Sequence, residues 1–130
     1  LCVNGSLAMG LDSNKKLKSY IEREQLYCVL NDTKWNKLFN CLEPNQDYLD
    51  FQRKDLDESS PIENKWNGDI YEIFGLIQKV EWINIHILKS HEPDILDSIK
   101  KANIPISKHG ENYRVWGYIR REKSPEWLYT

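Results

Sequence analysis

The sequence predicts an α+β domain: a mainly antiparallel sheet of four to five strands, with two N-terminal helices and one helix inserted before the last strands. Apolar residues recur at helical spacing in the first third of the chain and again after residue 91, whereas residues 47–54, 79–87 and 113–120 alternate as strands do. Short connections between consecutive strands favour antiparallel pairing, with the helices gathered on one face of the sheet.

Size and composition limit the class of protein. A chain of 130 residues favours one domain, and we expect residues 1–12 to be a flexible N-terminal segment and 13–130 to form that domain. The net charge of −2 predicts neither a nucleic-acid binder nor a membrane binder. No apolar run approaches the roughly 20 residues that a membrane span requires, so we expect a cytoplasmic protein that does not bind membranes.

The cysteines are too few and too scattered for a structural framework. They number three, Cys2, Cys28 and Cys41, and none belongs to a C-x-x-C pair. Neither a disulfide framework nor a zinc site is therefore expected, and reduced thiols are the prediction.

Two helices are predicted before the first strand. Asp12 or Ser13 is expected to cap a helix over residues 14–30. The clearest helix is "TKWNKLFNCLE", residues 33–43, and Pro44 follows its end. Its apolar side chains have the i, i+3, i+4, i+7 spacing of a buried helical face: Trp35, Leu38, Phe39 and Leu42.

Three strands are predicted next. Residues 47–54 alternate as a strand, and an acidic polar loop follows over 55–64. Asn67-Gly68 is a turn signal, and it predicts a hairpin-like connection into a second strand, "DIYEIFG", at 69–75. Residues 79–87 carry apolar groups on both faces, so this strand is predicted to be central.

The last third returns to a helix and then to strands. Residues 92–103 place a proline in the first turn and acids before lysines, as helices prefer. Residues 104–107 are expected to form a short edge strand, because the proline within them cannot donate to a ladder. Residues 108–112 predict a hairpin turn, and 113–120 the last strand.

No catalytic motif accompanies this fold. The sequence lacks a glycine-rich phosphate loop, an H-E-x-x-H pair and a nucleophile elbow, so no cofactor and no metal are expected. The enzyme alternative is a metal-dependent hydrolase or nuclease. It would require Asp69, Glu72, Glu81 and His86 to converge within about 4 Å of a metal ion.

Charge is polarised along the chain. Residues 43–72 hold nine acids and three bases, whereas 98–124 hold seven bases and two acids. Either the two segments neutralise one another across the sheet, or the acidic segment steers a basic partner. Trp66, Tyr71 and Trp82 are the aromatic candidates for a binding hot spot beside these acids.

The basic segment permits a third interpretation. Arg114, Trp116 and Arg120 combine cations with an aromatic ring, as in proteins that stack single-stranded nucleic acid. Aromatic residues on a sheet more often pack beneath helices, so nucleic acid is the least favoured partner.

Five segments in this order carry a resemblance: "TKWNKLF", "FQRKDL", "KWNGDIYEIF", "VEWINIHI" and "YRVWGYIR". Together they resemble a family of small uncharacterised bacterial proteins that look like immunity proteins from polymorphic toxin loci. The resemblance covers residues 33–120, and its most specific part is W-x-G-D-x-x-E, from Trp66 to Glu72. It implies a cytosolic partner-binding protein and carries no catalytic residue.

The leading hypothesis is therefore a protein-binding module, a cytoplasmic immunity protein that neutralises a cognate bacterial toxin by occluding its active site. An acidic surface suits a basic toxin domain such as a nuclease. The expected partner-binding residues lie in and after the acidic loop: Asp55, Asp57, Glu58, Glu63, Trp66, Asp69 and Glu72.

Overall fold

A computed structural model of the chain describes residues 11–56, 66–120 and 124–128. Its elements in chain order are α1 (Leu11–Arg23), β1 (Leu26–Cys28), α2 (Asp32–Leu42), β2 (Leu49–Asp55), α3 (Ile70–Ile73), β3 (Val80–Ile87), α4 (Glu92–Lys101), β4 (Ile106–His109), β5 (Asn112–Trp116) and β6 (Tyr118–Arg120). Short 3-10 helices join some of them, at Glu43–Tyr48, Ile77–Lys79 and Lys89–His91.

Two antiparallel sheets organise the described residues. The larger has four strands in the order β2-β3-β5-β4, and the smaller pairs β1 with β6. The α+β class is thus confirmed, β3 is central, and β4 lies at an edge as predicted. Single bridges continue both outer edges: Phe51 of β2 pairs with Asn67, and Ser107 of β4 pairs with Trp127.

The main core lies between one face of the four-stranded sheet and the helices. Asn31 caps α2, because its side chain accepts a hydrogen bond from the Lys34 amide at 2.9 Å. The apolar faces of α2 and α4 then pack against the inward side chains of β2, β3 and β5. The fully buried members include Leu38, Phe51, Ile83, Ile85 and Ile99, and burying each contributes about 1.5–3 kcal/mol.

The predicted strand at 69–75 is wrong. Residues 70–73 form the one-turn helix α3, because the Asp69 side chain accepts hydrogen bonds from the amides that begin it. Ile70 and Ile73 are both buried, and a spacing of three residues places them on one face of a helix, whereas in a strand they would point to opposite faces. The Asn67-Gly68 turn therefore leads into a helix rather than joining two strands of a hairpin.

Two other predicted boundaries are also corrected. The first helix ends at Arg23 rather than near residue 30, since Gln25 adopts a left-handed backbone conformation (φ 53°) and β1 follows. The last strand is broken at Gly117, where the chain leaves the four-stranded sheet and β6 joins β1. The helix α1 begins at Leu11, and the predicted flexible segment before it lies outside the described residues.

The described cysteines differ in oxidation state. Cys28 is disulfide-bonded and Cys41 is free, which corrects the expectation that every cysteine is reduced. Burial raises the pKa of the Cys41 thiol. Among the described residues, no helix combines the length and the apolar composition of a membrane span.

Candidate functional site

The segment from residue 66 to residue 73 is built by local hydrogen bonds. The Asn67 Oδ1 atom accepts from the Asp69 amide at 2.8 Å, and Asp69 Oδ1 accepts from the Tyr71 amide at 3.0 Å and the Glu72 amide at 3.3 Å. These bonds satisfy the amides that start α3. Ile70 is buried beneath the turn, so Tyr71 and Glu72 project outward.

Arg53 fixes the other end of α3. Its Nη1 atom donates to the carbonyl oxygens of Ile73, at 2.8 Å, and of Gly75, while Nη2 donates to that of Leu76 at 3.1 Å. Its Nε atom donates to Asp55 Oδ1 at 2.7 Å. One guanidinium on β2 therefore holds the carbonyl end of α3 in place, and the two ends of the helix are both constrained.

An acidic–aromatic surface surrounds this helix. The Tyr71 hydroxyl donates to Glu43 Oε2 at 2.5 Å, and the Tyr71 ring lies 5.8 Å from that of Phe39 in an edge-to-face arrangement. The Trp66 ring lies 5.9 Å from the His86 ring. Asp50 is the cross-strand neighbour of His86. We define the surface as Glu43, Asp50, Trp66, Asp69, Tyr71 and Glu72.

The surface is accessible, and its acids are not paired with cations in the part of the chain that the structure describes. Trp66 is 38% exposed and Tyr71 60% exposed, so both are exposed large hydrophobic side chains. None of the four acids takes part in an ion pair between described residues. The hydrogen bond to Glu43, helped by burial and by the negative charges of Glu43 and Asp69, raises the pKa of Tyr71.

The other predicted partner-binding acids are placed differently. Asp55 faces Arg53 at 2.7 Å and Lys79 at 4.0 Å, and its side chain is 14% exposed, so it is engaged within the fold. Asp57, Glu58 and Glu63 lie outside the described residues. The structure does bring Trp66, Asp69 and Glu72 together on one exposed segment.

The side chains of the enzyme alternative have separate partners. Glu81 accepts from Lys54 Nζ at 2.7 Å, and His86 Nδ1 is 2.8 Å from Asn112 Oδ1. Five residues of strand, roughly 16 Å, separate Glu81 from His86. Asp69 is occupied with capping α3. In the part of the chain that the structure describes, no three His, Cys, Asp or Glu side chains form a group that could hold a metal ion.

The sheet face that points away from the main core forms a second surface, which we call the polar face. Its side chains fall into three rows that cross the strands. In strand order the rows are Asp50, His86, Asn112 and His109; Gln52, Asn84, Arg114 and Ser107; and Lys54, Trp82 and Trp116. Asp50 belongs to both surfaces, and Trp66 contacts the polar face at His86, so the two surfaces adjoin.

Hydrogen bonds join the middle row. Arg114 Nε donates to Asn84 Oδ1 at 2.7 Å, and Asn84 Nδ2 donates to Gln52 Oε1 at 3.2 Å. The Arg114 guanidinium lies 3.9 Å from the centroid of the Trp82 ring and 5.2 Å from that of Trp116. Burial lowers the pKa of Arg114, and the charge of Glu81 opposes that change.

The three residues of the nucleic-acid interpretation do not act as one group. Arg114 and Trp116 are neighbours on the polar face. Arg120 lies on β6, where its Nη1 atom donates to Glu24 at 3.1 Å. The Trp116 indole N–H donates to Ser107 Oγ at 2.9 Å, so this ring is held within the sheet.

The fold and the surface define a small α+β domain with an exposed acidic–aromatic surface next to a polar sheet face. A family model matches residues 17–122, and the chain belongs to that family, which is described as a family of unknown function (DUF6678). The match includes most of α1, which precedes the segments that carry the resemblance noted in the sequence. Neither the curated proteins nor the solved structures yield a match to this chain.

Proposed function

We propose that this chain is a protein-binding module of the immunity type, which neutralises a cognate bacterial toxin by occluding its active site. The acidic–aromatic surface is the proposed contact region. The observation that carries the proposal is a surface with four acids that form no ion pair with another described residue. Two exposed aromatic rings lie beside them, on a segment whose helix is anchored at both ends.

The rigidity of the segment supports a role in binding. Binding costs conformational entropy wherever side chains or backbone become ordered, and a pre-ordered surface avoids part of that cost. Asp69 constrains the start of α3 and Arg53 constrains its end. Tyr71 is therefore presented in a fixed position before a partner arrives. The two backbone hydrogen bonds between Asn67 and Phe51 hold the chain next to Trp66 in the same way.

The charge of the surface supports a basic partner. Exposed acids accelerate the approach of a positively charged protein and disfavour acidic competitors. A nuclease toxin domain is such a partner, because it must itself bind a polyanion. The acids of the segment 57–63, which lie outside the described residues, would add charge of the same sign.

The proposed place of action is the cytoplasm, where thiols are normally kept reduced. Binding is therefore expected not to depend on the disulfide of Cys28. Replacing Cys28 by serine should leave the affinity for the toxin domain unchanged. A large loss of affinity, in a variant whose fold is intact, would contradict a cytoplasmic role.

The experiment tests the product of the adjacent reading frame as the partner. A toxin domain from that locus is expressed with and without this chain, and growth rescue reports neutralisation. Complex formation is then measured by surface plasmon resonance at low and high salt. Trp66→Ala should cost about 2 kcal/mol of binding, or roughly 30-fold in Kd, if Trp66 is a hot-spot residue.

Charge-reversal variants distinguish electrostatic steering of the partner from direct contact with it. The double variant Asp50→Lys, Glu72→Lys should slow association at low salt and differ less from wild type at high salt, because salt screens exposed charges. Glu111→Lys, an exposed reversal in the β4–β5 turn, is the control for a single charge reversal outside the surface. The proposal fails if no toxin domain binds, or if growth rescue and Kd survive both surface variants unchanged.

A further inference from the structure

The polar face has a charged group whose hydrogen-bonding capacity is only partly used. Arg114 donates through Nε to Asn84, but no described residue accepts a hydrogen bond from its two Nη atoms. The guanidinium is half-buried over Trp82. A partly desolvated cation ordinarily has several hydrogen-bond partners, so the two Nη atoms are positioned to receive a ligand.

The surroundings fix the plane of the guanidinium before any ligand binds. The Trp82 ring lies on one side of it, and Asn84, which is 9% exposed, is held by Gln52. Both Nη atoms therefore present a fixed pair of donors, and a fixed fork of this kind matches a carboxylate or phosphate group through two parallel hydrogen bonds.

The charge balance distinguishes between these two oxyanions. Lys54, the other cation nearby on this face, is already paired with Glu81 at 2.7 Å. His109 does not add a second charge at neutral pH, because burial and the charge of Arg114 lower its pKa. Arg114 therefore offers a single positive charge, which suits a monoanion better than a phosphate dianion or a nucleic-acid backbone.

We infer that the centre of the polar face is a binding site for a carboxylate, held by the two Nη atoms of Arg114 with the Trp82 and Trp116 rings beside it. The carboxylate belongs either to a small organic acid or to the C-terminus of a peptide. This site is separate from the acidic–aromatic surface, so it does not depend on the proposed function.

The test follows the indole N–H signal of Trp116 and the Nε–H signal of Arg114 by NMR while acetate is added at constant ionic strength. A short peptide with a free C-terminus and the same peptide amidated form the second arm. We expect saturable shifts with acetate or the free-acid peptide, and none with the amide. The arm that binds more tightly identifies the source of the carboxylate.

Two variants on the site are compared with one matched control. Arg114→Lys keeps the positive charge but loses the two parallel Nη donors, and it should weaken binding about tenfold or more. Asn84→Asp places a carboxylate beside the guanidinium and should compete with the ligand. Arg23, which lies 5.2 Å from the Tyr20 ring on α1, is also a stacked arginine, and Arg23→Lys should bind as wild type does.

Several results would overturn the inference. They are the absence of a saturable shift in both arms, equal binding by the amidated peptide, and undiminished binding by folded Arg114→Lys and Asn84→Asp proteins. Inorganic phosphate that binds more tightly than acetate would overturn the assignment to a monoanion. If Arg114→Lys does not fold, Asn84→Asp decides alone, because its side chain is nearly isosteric with asparagine.

Discussion

Gly117 lies where the chain passes from one sheet to the other, and a side chain there is expected to be strongly destabilising. A Cβ atom at this position would stand 2.2 Å from the Val80 carbonyl oxygen and 3.2 Å from Cζ2 of Trp35. The first neighbour is backbone of the central strand, so it cannot rotate away. The backbone of Gly117 is also bonded on both sides: its N–H donates to Glu81 and its carbonyl accepts from Val29, each at 2.8 Å.

The size of the effect follows from these contacts. Overpacking a well-packed core costs typically 1–3 kcal/mol, and a contact about 1 Å inside van der Waals distance with backbone belongs at the upper end, about 3 kcal/mol. For a chain of this length that corresponds to a fall in Tm of roughly 10 °C. The assay is urea unfolding of Gly117→Ala followed by circular dichroism, with a thermal scan as the second measurement.

The matched control is another glycine with space around it. A Cβ at Gly75 would meet nothing closer than 3.6 Å, so Gly75→Ala should stay within about 0.5 kcal/mol of wild type. The reasoning is refuted if Gly117→Ala unfolds at the same urea concentration as Gly75→Ala. Such a result would mean that β3 and β5 can separate locally at little cost.

Three further variants test the helix cap at Asn31, the hydrogen bonds from Arg53 to the end of α3, and the stability of the protein at high pH. Asn31→Ala removes the cap of α2 and should lower the free energy of unfolding by about 1 kcal/mol, measured in urea. Arg53→Met should cost about 3 kcal/mol and speed hydrogen exchange in α3, and unchanged exchange would contradict the anchoring role. Burial, together with the hydrogen bond to Glu92, raises the pKa of Tyr113 to about 12. Folding thus favours the neutral phenol, which adds to the free energy of unfolding. This added stability is fully present below about pH 10 and is lost as the pH rises through about 12. Between those pH values the free energy of unfolding should fall less steeply with pH for Tyr113→Phe than for wild type. Burial also raises the pKa of Tyr118, so some fall should remain in both proteins. Equal slopes of the free energy of unfolding against pH, measured by urea unfolding, would refute the assignment.

Patterns that depend on nearby residues allowed much of the fold to be predicted. The spacing of Trp35, Leu38 and Leu42 identified a buried helical face, and the apolar groups on both sides of residues 80–87 identified the central strand. The hairpin at residues 108–112 followed from its turn residues, and Gly110 has the positive φ of 63° that such a turn favours. Each of these features is decided within about ten residues of chain.

The errors arise where one polar side chain or a distant contact overrides a local pattern. Alternation in residues 69–75 suggested a strand, but the Asp69 carboxylate binds two amides and begins a helix instead. Gly117 ends a strand because its backbone meets that of Val80, 37 positions earlier. The Asp69-x-x-Glu72 spacing is a helix-start signal that competes with the alternation, whereas no spacing near Gly117 reveals its contact with Val80.

The candidate surface was partly predictable for the same reason. Trp66, Asp69 and Glu72 are close in sequence, and the short motif that contains them identified the exposed segment. Glu43 joins them only through its hydrogen bond to Tyr71, 28 residues away. The role of Arg53 was missed, because its acceptors lie 20 to 23 residues further along the chain.

The bridges at the two edges of the four-stranded sheet have a consequence for how the protein behaves in a concentrated solution. An open strand edge can add strands from another chain, and this is a common start of aggregation. Phe51 on β2 exchanges both of its backbone hydrogen bonds with Asn67, at 2.8 and 2.9 Å, and the Leu128 amide bonds to Ile106 on β4 at 2.8 Å. The backbone that carries Trp66 therefore also occupies a stretch of the β2 edge. A change that pulled Asn67 away from Phe51 would leave that edge open, and a loss of binding would then be accompanied by a loss of solubility.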